Sequence, residues 1–133
     1  MPIELEMVLR LLLAAALGAA IGYQRERAGK QAGLRTHILI STGAALISLI
    51  SIYGFGDASD PARVAAGVVV GVGFLGAGVI LHRQGGIVAG LTTAATIWVV
   101  AGIGLAAGTG LYIVAAVATA LVLGVLIMPR WSG

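Results

Sequence analysis

No cysteine occurs among the 133 residues, which excludes a disulfide framework, a thiolate metal site and a cysteine nucleophile. Charge is also scarce. Asp, Glu, Lys and Arg make up 10% of the chain, against about 25% in a soluble domain, too few to cover a water-facing surface. The chain has only eight Lys and Arg residues, too clustered to suggest a nucleic-acid partner. The sequence also lacks a P-loop, a metal-ligand cluster and any serine, histidine and acid arrangement suited to a soluble active site. GVGFLG does spell G-x-G-x-x-G, but it sits inside an apolar run, without the preceding strand and following acid of a dinucleotide site. No enzyme is expected, and no cofactor beyond the weak Mg²⁺ considered below.

What the sequence has instead is hydrophobic length. Fifty-nine per cent of residues are apolar, gathered into five runs at about 5–23, 37–55, 62–81, 89–107 and 111–128. Each approaches the roughly 20 residues that cross a hydrocarbon core about 30 Å thick. Lipid offers no partner for a bare peptide group, and the alternating pattern of membrane strands is missing, so the runs read as helices. The expected fold is an all-α integral membrane protein, a bundle of five transmembrane helices forming one domain over residues 1–133. The first run opens with Glu4 and Glu6 and ends in YQRER with no small-residue cleavage site, unlike a cleavable signal peptide.

Basic residues orient the bundle. Loop one carries Arg25, Arg27, Lys30 and Arg35 against Glu26; loop three carries His82 and Arg83, and the C-terminus Arg130. Loop two carries Asp57 and Asp60 against Arg63. Because cytoplasmic loops are rich in Lys and Arg, the N-terminus is expected outside, the C-terminus in the cytoplasm, and both aspartates on the outer face.

The polar and small residues inside the runs each carry two readings. In the third run, Gly67, Gly71 and Gly78 fall on one helical face, with Gly73 and Gly76 roughly opposite. Interior glycine costs about 1 kcal/mol against alanine in water. Small faces let neighbouring backbones approach closely, so this helix is expected to be central and tightly packed, or to form a dimer seam; the other reading is a helix beside a narrow pathway. His37, Ser41, Ser48 and Ser51 share one arc of the second run, and Thr92, Thr93 and Thr96 cluster on the fourth. Their hydroxyls read either as bonded back to their own helices or as lining a conduit. His37 is an interface residue or a proton-responsive group. Arg10 can pair with Glu6 at i,i+4 or snorkel outward. Asp60 before Pro61 reads as a helix cap, with Arg63 within pairing distance. Asp57 and Asp60 also form an acidic pair suited to a weakly held hydrated Mg²⁺. Trp98 and Tyr112 are packing or interface aromatics, and Trp131 is an anchor.

The segments GYQRERAGKQAGLRTHILISTGAAL, DPARVAAGVVVGVGFLGAGVI, GLTTAATIW and AGIGLAAGTG, in that order, resemble the membrane domain of the MgtC/SapB family of bacterial inner-membrane proteins. The resemblance covers about residues 5–128. It implies a five-span domain concerned with Mg²⁺ homeostasis and adaptation to acid or intracellular stress, including virulence. It further implies a regulator of membrane partners such as the F-type ATP synthase, or alternatively a small transporter or channel for Mg²⁺, protons or another solute. The charged positions that carry over are Glu26, Arg27, Arg35, Asp60 and Arg63, with Gly71, Gly73, Gly76, Gly78, Thr92 and Thr93 beside them. Gly67 and Ala89 depart from the glutamine and arginine of many relatives, and the soluble C-terminal domain of many relatives is not in this sequence. A homo-oligomer, with a dimer favoured, is expected, because five short helices enclose little core.

Overall fold

The structure is a computed structural model that describes residues 2–56, 60–81 and 87–128. The described residues form five helices and no strand. Helix α1 spans Ile3–Arg27 and α2 spans Leu34–Leu49, running on through a π-helical turn at Ile50–Gly54. Helices α3, α4 and α5 span Pro61–Leu81, Ile87–Gly108 and Tyr112–Leu126. Four of these, counting α2 with its π turn, are long and apolar enough to cross a membrane. The fifth, α5, is apolar but has 15 residues, about 22 Å of helix.

The helix ends follow local chemistry. Glu4 and Glu6 lie in the first turn of α1 and Arg25 and Arg27 in its last, each sign opposing the helix dipole. The helix closes at Gly29, whose φ of 70° is left-handed. There the Gly29 and Lys30 amides donate to the Glu26 and Arg25 carbonyls, the paired closure that glycine makes possible. Glu26 then caps the next helix: its carboxylate accepts the Leu34 amide at 3.2 Å. At the start of α3, the Asp60 carboxylate accepts the Ala62 amide at 3.1 Å, ahead of Pro61 in the first turn.

Helix α4 sits at the centre and touches each of the other four, while α1 and α2 share the most extensive interface. Helix α3 leans mainly on α4, and Gly76 is its one buried residue among those described. This corrects the expectation of a central, tightly packed third helix. A Cβ added at Gly76 would meet that of Ala94 at 3.4 Å, whereas at Gly67, Gly71, Gly73 or Gly78 it would meet nothing within 4 Å. A run apolar on every side carries no stripe to say which side meets protein, since lipid solvates a hydrophobic face equally well.

The core is small and alanine-rich, built from Ala14, Ile21, Ala45, Val100, Ile103, Ala107 and Ala115. Large apolar side chains point outward instead, among them Leu39, Phe74, Ile113 and Leu121. In water such a surface would aggregate; in a bilayer it is the lipid-facing coat.

Candidate functional site

Three helix faces meet along a buried polar seam. Helix α1 contributes Arg10, Ala14, Gly18, Gly22 and Arg25, one buried stripe at helical spacing. Helix α2 and its π turn contribute His37, Ser41, Ala44, Ser48 and Ser51, all buried. Helix α4 contributes Thr93, Thr96, Gly104 and Gly108.

Glycine makes the seam close. A Cβ on Gly18 would strike the Ser41 hydroxyl and lie 2.6 Å from the His37 carbonyl oxygen; one on Gly22 would lie 2.8 Å from the Leu34 Cα. From the other side, a Cβ on Gly104 would strike the Ser41 carbonyl, and one on Gly108 would lie 2.8 Å from the Ala45 Cα. Helix α2 is therefore pressed between two Gly-x-x-x-Gly pairs, one in LGAAIGY and one in IGLAAGT. Three of the seam hydroxyls turn back into their own helices. Ser41 donates to the His37 carbonyl at 3.0 Å, Ser48 to Ala44 at 2.8 Å, and Thr96 to Thr92 at 2.8 Å.

A buried arginine closes each end. At the loop-one end, Arg25 is 3% exposed and donates to the Thr93 hydroxyl at 2.6 Å. Beside it His37 is fully buried, with Nδ1 2.8 Å from the Gly33 carbonyl oxygen. A carbonyl only accepts, so Nδ1 carries the proton and Nε2 is a bare acceptor. That nitrogen has no hydrogen-bond partner among the described residues. At the other end Arg10, 8% exposed, donates to the Tyr112 hydroxyl and to the Gly108 carbonyl, both at 3.0 Å. It also pairs with Glu6 at 3.6 Å and lies over the Tyr53 ring at 5.7 Å. This one guanidinium joins α1, the π turn, the last carbonyl of α4 and the start of α5.

Two hollows adjoin the seam. A groove of about 570 Å³ separates α2 from α3, lined by Leu39, Gly43, Ile47, Gly67 and Gly71 among others. A smaller cavity of about 240 Å³ lies between the π turn, α3 and α4, with Ser48, Ser51 and Thr109 on its wall. The Ser51 hydroxyl is buried and has no partner among the described residues.

The residues singled out in the sequence thus scatter over several places. His37, Thr93 and Thr96 join the seam. Glu26 and Asp60 serve as caps. Arg27 stacks on Tyr23 at 5.7 Å and donates to its hydroxyl, and Arg35 is exposed. Arg63 is exposed and makes no ion pair with Asp60, whose carboxylate is turned to the Ala62 amide. Thr92 accepts from Thr96 through its carbonyl. Asp57, half of the proposed acidic pair, lies outside the described residues, as do His82, Arg83, Arg130 and Trp131. Among the described residues no three His, Asp or Glu side chains gather as metal ligands. The sequence reading missed the two glycine pairs and the burial of Arg25. The signal was present in the two four-residue glycine spacings, which match the four-residue steps from Ser41 to Ala45 and from Ala44 to Ser48 on the helix between them.

A helical bundle with a lipid-facing coat, a polar seam and four membrane-length helices defines a multi-pass membrane protein. Residues 11–132 match the model of the MgtC family, and the chain belongs to that family. It is 53% identical over 130 residues to the Escherichia coli K12 protein named "Putative magnesium transporter YhiD", covering 90% of this chain and 60% of that one. It is 49% identical over 116 residues to Protein MgtC of Salmonella typhimurium, covering 87% of this chain and 49% of that one. The chain therefore spans about half to three-fifths of the length of these relatives. No solved structure matches it.

Proposed function

We propose that this chain is the membrane domain of a regulator of Mg²⁺ homeostasis that works through helix–helix contacts with proteins of the bacterial inner membrane, the F-type ATP synthase being the partner class suggested by its family. In this reading all five helices cross, the N-terminus is outside, the C-terminus is cytoplasmic, and a dimer forms through α3. The observation that carries it is the closed seam. Ser41 and Ser48 spend their hydroxyls on their own helix, and the glycines of α1 and α4 leave no room beside them for a solute. Meanwhile α3 offers small residues to the outside, a surface fit for another helix.

The test is assembly in the membrane. Gly71→Leu and Gly78→Leu fill a face that is open in one chain, so the monomer should fold while cross-linking to itself or a partner is lost. Unchanged cross-linking in both variants would sink the α3 contact.

A second reading, transport of Mg²⁺ or protons, draws on the name of the Escherichia coli relative and on the Ser51 cavity. It requires flux into liposomes holding the purified chain, reduced by Ser51→Val. Folded protein that moves neither ion removes this reading.

A further inference from the structure

Loop one leaves three cations unneutralised in a fixed arrangement. Arg27, Lys30 and Arg35 are all exposed, and none makes an ion pair among the described residues. The only acid nearby among the described residues, Glu26, is engaged with the Leu34 amide. That contact ties residue 26 to residue 34 and so holds their neighbours, Arg27 and Arg35, on either side of one clamp. Lys30 lies between them, in the turn closed by Gly29. Arg25, the fourth cation of the loop, is buried against Thr93 and takes no part.

What lies beneath the cations identifies the partner. Leu5, Leu9, Leu12, Ala16, Ala20, Tyr23 and Arg27 form one exposed strip of α1 at three- and four-residue spacing. The strip passes from aliphatic side chains to Tyr23, which is 56% exposed, and one turn later to Arg27. Tyr23 offers its hydroxyl to the Arg27 guanidinium at 3.1 Å. Apolar strip, amphipathic ring and cation follow the order of acyl chain, ester region and phosphate in a phospholipid. A free anion would need the cations but not the strip.

We propose that Arg27, Lys30 and Arg35, with Tyr23 beneath them, form a headgroup site for an anionic phospholipid at the loop-one end of α1 and α2. Each Lys or Arg at an anionic surface contributes a factor of about five, so three give a preference on the order of a hundredfold before screening. The experiment offers the purified full chain equimolar phosphatidylglycerol and phosphatidylcholine and counts retained lipid by native mass spectrometry. Phosphatidylglycerol should be retained at least about tenfold more. The preference should fall close to unity in the triple variant Arg27→Gln, Lys30→Gln, Arg35→Gln, and should drop severalfold in Arg35→Gln alone. Arg63→Gln, at the opposite end of the bundle, should leave it unchanged. Tyr23→Ala should reduce retention although it removes no charge. Equal retention of both lipids by the wild type, or an undiminished preference in the triple variant, overturns the proposal. Displacement by inorganic phosphate alone would assign the cations to a soluble anion and overturn the lipid assignment.

Discussion

The most consequential single side chains here are polar groups buried where water cannot reach them. His37 donates from Nδ1 to the Gly33 carbonyl, leaving Nε2 bare, and the hydrogen bond dictates which nitrogen holds the proton. We predict that nitrogen-15 NMR of His37, in a His82→Gln background that leaves it the sole histidine, shows the proton on Nδ1 at neutral pH. A proton on Nε2 would refute this geometry. Arg10 poses a different problem, because its partners lie on three other segments. Arg10→Gln keeps a donor but loses the reach and the charge, leaving the Gly108 carbonyl and Tyr112 underpaired. The expected loss is about 2–4 kcal/mol, read from the unfolding of purified protein in detergent; a loss below about 1 kcal/mol would show that Arg10 merely decorates the bundle. The Glu6–Arg10 pair was legible in the sequence from its i,i+4 spacing. The role of Tyr112 was not, because 102 residues separate it from its partner.

Among the elements, α2 is the one held most tightly, between backbones on both sides. A single methyl added at Gly18 or Gly104 would overlap backbone or a packed hydroxyl, costing about 1–3 kcal/mol or more. Gly73→Ala meets nothing in the chain and should be neutral or slightly stabilising, through helix propensity of up to about 1 kcal/mol. Measuring the three variants side by side tests the placement of α4, and not α3, at the centre; equal losses at Gly73 and Gly104 would contradict it. Helix existence and approximate extent were readable from apolar runs, and so was the start of α3 from Asp60-Pro61. Which glycines touch anything was not. Spacing shows that a face is small, and only the neighbouring helix decides whether smallness is used. The π turn at Ile50–Gly54 also left no sequence signature beyond the glycine at its end.

At the scale of the whole molecule, the two buried arginines stand fifteen residues apart on α1, about 22 Å along its axis. The short helix α5 covers the same distance. Along α5 that depth is thinner than the roughly 30 Å of ordinary hydrocarbon, whereas the other four helices are long enough to match it, so lipid must yield on the α5 side. The chain should therefore pinch the bilayer around itself, or gather where it is already thin, because mismatch costs fractions of a kcal/mol per Å. We predict greater thermal stability in lipids with myristoyl chains than in lipids with oleoyl chains, with the difference shrinking in Arg10→Gln. Indifference to chain length would mean that the arginines do not set the depth. If they do, the protein is a gauge: any stretching or thickening of the surrounding membrane is felt first as strain between two fixed cations.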